Sequence, residues 1–180
     1  MSTLGQASVA AVRQYLRLAQ SHGLDLPPLL REAGLATDIL TEDHRRIDGL
    51  QFQALIRALL QRISDPLLGL HSGDFVQPGS YSVLGYITMS CATLGEAIAR
   101  IAPYEKLVGD MGITRVHVIG DEIRIRWTCA YPDPDVRPHM VDNVFASWIN
   151  YARWLGNAPD THPLRVELER EAPDTSLCEE

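Results

Sequence analysis

Apolar positions recur at helical spacing through the first half of the chain and alternate with period two only after Gly112. Val9, Val12, Leu16 and Ala19 mark one face of an amphipathic helix from Val9 to His22, closed by Gly23. Pro27-Pro28 opens a short second helix to Ala33, closed by Gly34, since proline suits a first helical turn. Helix, turn and short helix invite a helix-turn-helix reading around Leu29–Leu40. Asp38, Glu42 and Asp43 would face phosphate badly, which argues against it. Asp48 can cap a third helix, Leu50 to Ile63, with Phe52, Leu55, Ile56, Leu59, Leu60 and Ile63 as its apolar stripe. Asp65-Pro66 starts another, Leu67 to Ser72. Ser82–Cys91 is compatible with helix or extended chain, and we read it as helix. Thr93 and Glu96 have capping-box spacing and begin a helix from Leu94 to Val108.

Ile113–Ile119 and Glu122–Ala130 alternate across Gly120-Asp121, a two-residue hairpin turn. That turn sets Val118 opposite Ile123, Val116 opposite Ile125 and Thr114 opposite Trp127 on one face, expected to point into the core. His117 opposes Arg124 and Arg115 opposes Arg126 on the other, an unfavourable pairing unless acids intervene. Leu164–Arg170 is expected to add a third strand, with Leu164, Val166 and Leu168 inward and Glu167 and Glu169 among the arginines. Between strands two and three a helix runs from about Pro138 to Leu155. Its stripe of Val141, Val144, Phe145, Trp148, Ala152 and Leu155 should cover the sheet. A second stripe, Met140, Ser147, Tyr151 and Trp154, is left for the helical half, a ligand or another subunit. The fold class is α+β: a helical half, then an antiparallel sheet backed by helices.

The chain has 180 residues, 46% of them hydrophobic and 22% charged, as expected for one substantial globule. Its formal charge of -7 argues against unaided nucleic-acid binding, which relies on a surplus of Lys and Arg. Cys91, Cys129 and Cys178 form no CxxC, and a reducing, cytoplasmic compartment fits. No signal peptide or membrane-spanning run is evident. The histidines at 22, 44, 71, 117, 139 and 162 make no metal-ligand motif, and no catalytic constellation stands out. The expectations are therefore no catalytic residues, no metal, no cofactor and no enzyme activity.

The run Gly79-Ser80-Tyr81-Ser82-Val83-Leu84-Gly85-Tyr86-Ile87-Thr88-Met89-Ser90-Cys91-Ala92-Thr93-Leu94-Gly95-Glu96-Ala97 resembles the middle of the N-terminal, arabinose-binding-like domain of AraC-type transcription regulators. The likeness extends from Val9 to the C-terminus, through the Val9–His22 helix, Leu29–Leu35, Asp65–Leu70, Ile98–Tyr104 and Ala152–Leu155, in the family's order. It implies a bacterial cytoplasmic regulator whose N-terminal domain senses a small-molecule effector and dimerises. It further implies a C-terminal DNA-binding domain of two helix-turn-helix units. On this resemblance residues 1–180 are expected to be a single truncated sensing domain that reaches DNA only through that absent C-terminal domain. At least one further strand is expected beyond Glu180. The family shares no single ligand, so the effector is not named by the resemblance.

Small-molecule sites are mostly apolar with few polar groups. The candidate ligand-binding residues are therefore Tyr81, Tyr86, Met89, Arg100, Tyr104, Trp127, Asn143, Trp148 and Tyr151, placed between helices and sheet. An aromatic stripe at helical spacing is also what a core requires. Arg100 is the sharpest candidate: it could pair an acidic ligand, or else be solvated or bridged to Glu96. Tyr151 and Trp154 are the candidate anchors of a homodimer. The alternatives are a stand-alone small-molecule-binding protein or an enzyme of unknown reaction. The first includes a haem sensor, which would use His71 or His139 as axial ligand.

Overall fold

The computed structural model describes residues 4–41 and 45–170. His44, Glu42, Asp43 and Cys178 lie outside them. Among the described residues the elements are β1 (Gln6–Ser8), α1 (Val9–Ser21), α2 (Leu26–Glu32), β2 (Arg46–Asp48), α3 (Gly49–Arg62) and α4 (Leu68–Ser72). They continue with α5 (Ser82–Met89), α6 (Leu94–Tyr104), β3 (Gly112–Ile119), β4 (Glu122–Cys129) and α7 (Val136–Leu155). Single 3-10 turns cover Ile39–Thr41, Gly73–Phe75, Pro78–Tyr81 and Glu105–Leu107. The mixed α+β class is as expected, and so is the helical reading of Ser82–Met89.

Local chemistry sets the boundaries. Ser8 caps α1 by accepting from the Ala11 N–H at 3.2 Å. Asp48 and Gln51 form a capping box on α3. Pro103 and the following 3-10 turn end α6 at Tyr104, four residues short of the expected Val108. Two three-residue strands escaped the sequence reading: β1 pairs antiparallel with β2. Its other edge bridges to the chain at Gly109, with Ser8 N–H donating to Val108 O at 2.8 Å. Strands this short leave too little alternation to recognise.

The main core lies among α1, α2, α3, α4 and the N-terminal half of α7. Phe52 packs edge-on against Tyr15 on one side and Tyr131 on the other, with ring centroids 5.4 and 6.2 Å away. A smaller cluster of Ala11, Leu84 and Val108 sits under α5.

The β3–β4 register is the expected one throughout, with Thr114 opposite Trp127, Val116 opposite Ile125 and Val118 opposite Ile123. The inward face is shorter than expected, because the hairpin tip projects beyond the body. Val118 is 73% exposed and Ile123 is exposed too, while Val116, Ile125 and Trp127 are half-buried. Leu164–Arg170 does not form the expected third strand. Leu164 is 89% exposed, so with the tip uncovered there is no enclosed face for this segment to extend. Polar contacts hold the segment instead. Arg153 Nε donates to Thr161 O at 2.9 Å, and Arg170 pairs with the buried Asp142 at 2.5 Å. Glu169 still approaches Arg126, at 3.6 Å.

The two stripes of α7 also exchange roles. Met140, Ser147 and Tyr151 are buried with Asn143 and Ala146, whereas the stripe expected on the sheet is only half-buried. The cause is α4. A Cβ on Gly69 would collide with the His139 backbone, and one on Gly73 with Ala146. The two glycines bring α4 and its following turn against α7, and contact between α7 and β4 is slight. A buried polar network fills this contact. Gln14 Nε2 donates to Ser72 O at 2.8 Å and to Ser147 Oγ at 2.5 Å. Asn143 Nδ2 donates to Ser72 Oγ at 2.7 Å, and that hydroxyl donates to Gly69 O at 2.6 Å.

We predict that Gly69→Ala lowers stability by about 2 kcal/mol, even after a gain of about 1 kcal/mol in helix propensity, because the His139 backbone cannot rotate away. Urea unfolding measures this, with Gly79→Ala as a near-neutral control, since a Cβ there meets nothing.

His139 supplies a pH test. Its Nδ1 accepts from the Gly69 N–H at 3.3 Å. Burial first, and then Arg170, hold its pKa below the ordinary imidazole value, with Asp65 opposing. A lowered folded-state pKa means that the unfolded chain binds more protons. Stability should therefore fall as pH drops below the ordinary value of about 6.5 and go on falling through the folded-state value. Between about pH 7.5 and about pH 5 the wild-type melting temperature should drop more than that of His139→Gln, by calorimetry.

Candidate functional site

The nine candidate ligand residues do not converge on one pocket between helices and sheet. They divide among the interior, an exposed helix face and two surface clefts. The interior group begins with the turn Pro78–Tyr81, which Gln77 N–H stabilises by donating to Ser80 Oγ at 3.1 Å. The turn leads into α5 through Ser82, whose φ of 52° lies in the region that favours glycine. Gly85 is required next, because a Cβ there would strike Pro78 O. Tyr81 packs its ring 4.9 Å from that of Tyr151. Its hydroxyl is buried and unsatisfied, and burial pushes its pKa far up. Tyr151 OH donates to Gly85 O at 3.1 Å and shares a 2.9 Å hydrogen bond with Thr88 Oγ1.

Asn143 belongs to the buried network described above. Trp127 lies against Gly112, where a Cβ would collide with its ring, and packs on the main core. Trp148 is half-buried, edge-on to Phe145 with centroids 5.8 Å apart. Tyr86 is 70% exposed and, with Val83 and the exposed Met89, forms the outer face of α5, away from both clefts.

The first cleft, about 230 Å³, lies between the C-terminal end of α5 and one face of α6. Ile87, Ser90 and Cys91 form one wall, and Glu96, Arg100 and Tyr104 the other. The capping geometry of α6 positions Glu96. Thr93 Oγ1 accepts from the Glu96 N–H at 3.1 Å, while the Glu96 carboxylate reaches back to the Ala92 N–H at 2.8 Å. This differs from the strict capping box, in which the acid would return to the N–H of Thr93. With Glu96 so engaged, the alternative Glu96–Arg100 bridge is not made. Arg100 has no ion pair or hydrogen bond among the described residues.

The second cleft, about 480 Å³, is bounded by Asp74, Val76, Gln77 and Pro78 on one side and Asn150, Tyr151 and Trp154 on the other. Asn150 Nδ2 donates to Asp74 Oδ1 at 3.0 Å. Trp154 stacks on Tyr151 with centroids 5.7 Å apart and is 54% exposed. Of the two proposed dimer anchors, Trp154 alone offers exposed surface, since Tyr151 is buried.

Three lining residues of the smaller cleft had a legible signal. Glu96, Arg100 and Tyr104 stand at intervals of four and must share one face of α6. Ile87, Ser90 and Cys91 had none, because their position depends on how α5 packs. His71 pairs with Asp65 at 2.7 Å and His139 is engaged with Gly69, and neither lines either cleft. Among the described residues no group of three or more His, Cys, Asp or Glu could hold a metal ion. No helix among them is long and apolar enough to cross a membrane.

Residues 23–179 match the family model of the N-terminal arabinose-binding domain of AraC transcription regulators. The chain is also similar to the ornithine utilization regulator of Pseudomonas aeruginosa, with 28% identity over 101 residues. That match covers 56% of this chain and 30% of the relative. The family match spans most of the chain and includes α5, α6 and both clefts, and so this chain belongs to the arabinose-binding-domain family of AraC transcription regulators.

Proposed function

We propose that this domain is the effector-sensing and oligomerisation part of a cytoplasmic AraC-type regulator, and that its effector binds in the α5–α6 cleft. The observation that carries the choice of cleft is Arg100. It is a permanently charged, geometrically versatile donor that lines a concavity with Tyr104 and has no partner among the described residues. In this reading the domain is a sensor and not a catalyst. DNA is contacted by a separate domain with two helix-turn-helix units, in keeping with the acidic balance of residues 1–180. The similarity to a regulator of ornithine utilization puts amino acids and their breakdown products first among effectors to try.

A thermal-shift screen over amino acids, amines, fatty acids, sugars and nucleotides tests the reading, because a ligand that binds only the folded state raises the melting temperature by mass action. At least one class should stabilise the wild type and lose that effect in Arg100→Ala. Stabilisation undiminished in Arg100→Ala would move the site elsewhere.

The proposed oligomer is a two-fold dimer, the commonest closed assembly. Trp154 is its proposed anchor, a large exposed aromatic at the rim of the second cleft. Sedimentation equilibrium should show a dimer that Trp154→Ala weakens by about tenfold or more, as expected for loss of an aromatic anchor. A monomer at every accessible concentration would reject it.

A further inference from the structure

The α5–α6 cleft presents two opposite charges that do not neutralise each other. Glu96 and Arg100 stand one helical turn apart on the same wall, where an ion pair is the ordinary outcome. The structure instead turns the Glu96 carboxylate toward the Ala92 N–H at 2.8 Å and leaves the guanidinium of Arg100 facing the cleft. Opposite them is the carbonyl end of α5, which bears partial negative charge. At this end Ser90 Oγ and Cys91 Sγ both donate to Ile87 O, at 2.7 and 3.4 Å. The negative charge of the cleft thus sits at Glu96, and the positive charge at Arg100.

From this geometry we infer that the cleft is built for a small zwitterion of the α-amino acid class. The carboxylate is taken by Arg100, and the ammonium sits between Glu96 and the carbonyl end of α5. The inference rests on the effector reading above and gives that site its ligand class. Each half of the ligand satisfies one wall charge, and the complex is neutral overall. A simple acid would leave Glu96 and the helix end facing nothing, and a simple amine would leave Arg100 so. The second cleft offers no such pairing, because no cationic side chain lines it beside its acid, Asp74.

The test is isothermal titration of the 180-residue chain with the twenty proteinogenic L-amino acids and L-ornithine. For each amino acid that binds, the matching deaminated acid and decarboxylated amine are titrated as well. At least one amino acid should bind, and both of its halves should bind about tenfold more weakly or worse, the scale of one lost charge-assisted contact. Arg100→Gln and Glu96→Gln should each weaken the amino acid by a similar factor, while Arg165→Gln, on the exposed 156–170 segment, should not. Both cleft variants keep hydrogen-bonding capacity at exposed positions, and the amide oxygen introduced by Glu96→Gln can still accept from the Ala92 N–H. An acid that binds as tightly as its amino acid and depends on Arg100 would overturn the zwitterion yet leave the cleft as the effector site. Amino-acid binding unchanged in both variants would overturn the inference and the site together. If no amino acid binds while another class binds in an Arg100-dependent way, only the ligand class falls.

Discussion

The contact between α4 and α7 is the constraint on which the rest of this domain depends. Two glycines four residues apart let one backbone approach another to a distance that no side chain would permit. Such an approach buries peptide groups and small polar side chains rather than large apolar ones, and each must find a partner. Gln14, Ser72, Asn143 and Ser147 supply those partners to one another. Neutral hydrogen bonds of this kind add about 1 kcal/mol each when made, and cost more when one partner is lost. The network therefore specifies position more than it supplies stability: α7 can rotate or slide only by stranding several buried groups at once.

With α7 held in this way, the placement of other elements follows. Tyr151 lies two turns beyond Asn143 and is aimed at α5, where Gly85 O and Thr88 Oγ1 meet its hydroxyl. Asp142, on the side of α7 next to Asn143, is buried with Arg170 as its ion-pair partner. Burial raises the Asp142 pKa, and Arg170 opposes that rise. This pair fixes where the 156–170 segment meets the helix, although the desolvation of Asp142 outweighs the attraction of Arg170, while water and salt largely screen the exposed pairs nearby. One helix thus organises the polar core, the packing of α5 and the course of the chain after it.

Much of this fold was legible in the residues. Asp48 and Thr93 mark helix starts, and Gly120-Asp121 sets the hairpin register residue for residue. These are local signals, in which chemistry and geometry lie within a few positions of each other. The larger misreadings were non-local. The α7 stripe richest in large apolar residues was expected to cover the sheet, yet glycine-mediated contact with α4 buried the side bearing Asn143, Ala146 and Ser147. Val118 and Ile123 alternate correctly, but alternation reports which residues share a face and says nothing about whether that face is covered. Leu164–Arg170 had the right pattern for a strand and no enclosed surface to join. Among site candidates, Arg100 and Tyr104 share a cleft because they share a helix face. Tyr81, Tyr86 and Met89 share a motif but not an environment: Tyr81 packs on Tyr151, while the periodicity of α5 sends Tyr86 and Met89 outward and Leu84 and Thr88 in.

The position of α5 gives the site its mechanical meaning. Ile87 faces the smaller cleft, and its neighbour Thr88 holds Tyr151. A ligand in that cleft, as proposed above, would touch the same turn of helix that α7 uses as its anchor. Gly85 resists any shift of this turn on one side, because its backbone already lies against Pro78 O, and the Tyr81–Tyr151 ring contact resists it on the other. Tightly packed elements of this kind move between discrete arrangements rather than deform gradually. A ligand can shift such an equilibrium only by its difference in affinity for the two arrangements. In the α5–α6 cleft that difference would come from the spacing between Arg100 on α6 and the carbonyl end of α5, because a ligand that bridges both walls binds best at one separation. The buried, unsatisfied hydroxyl of Tyr81 lies on the inner side of the same turn, beside Tyr151. A small movement of α5 relative to α7 would change what that hydroxyl meets, and burying it without a partner carries a cost that such a movement could relieve.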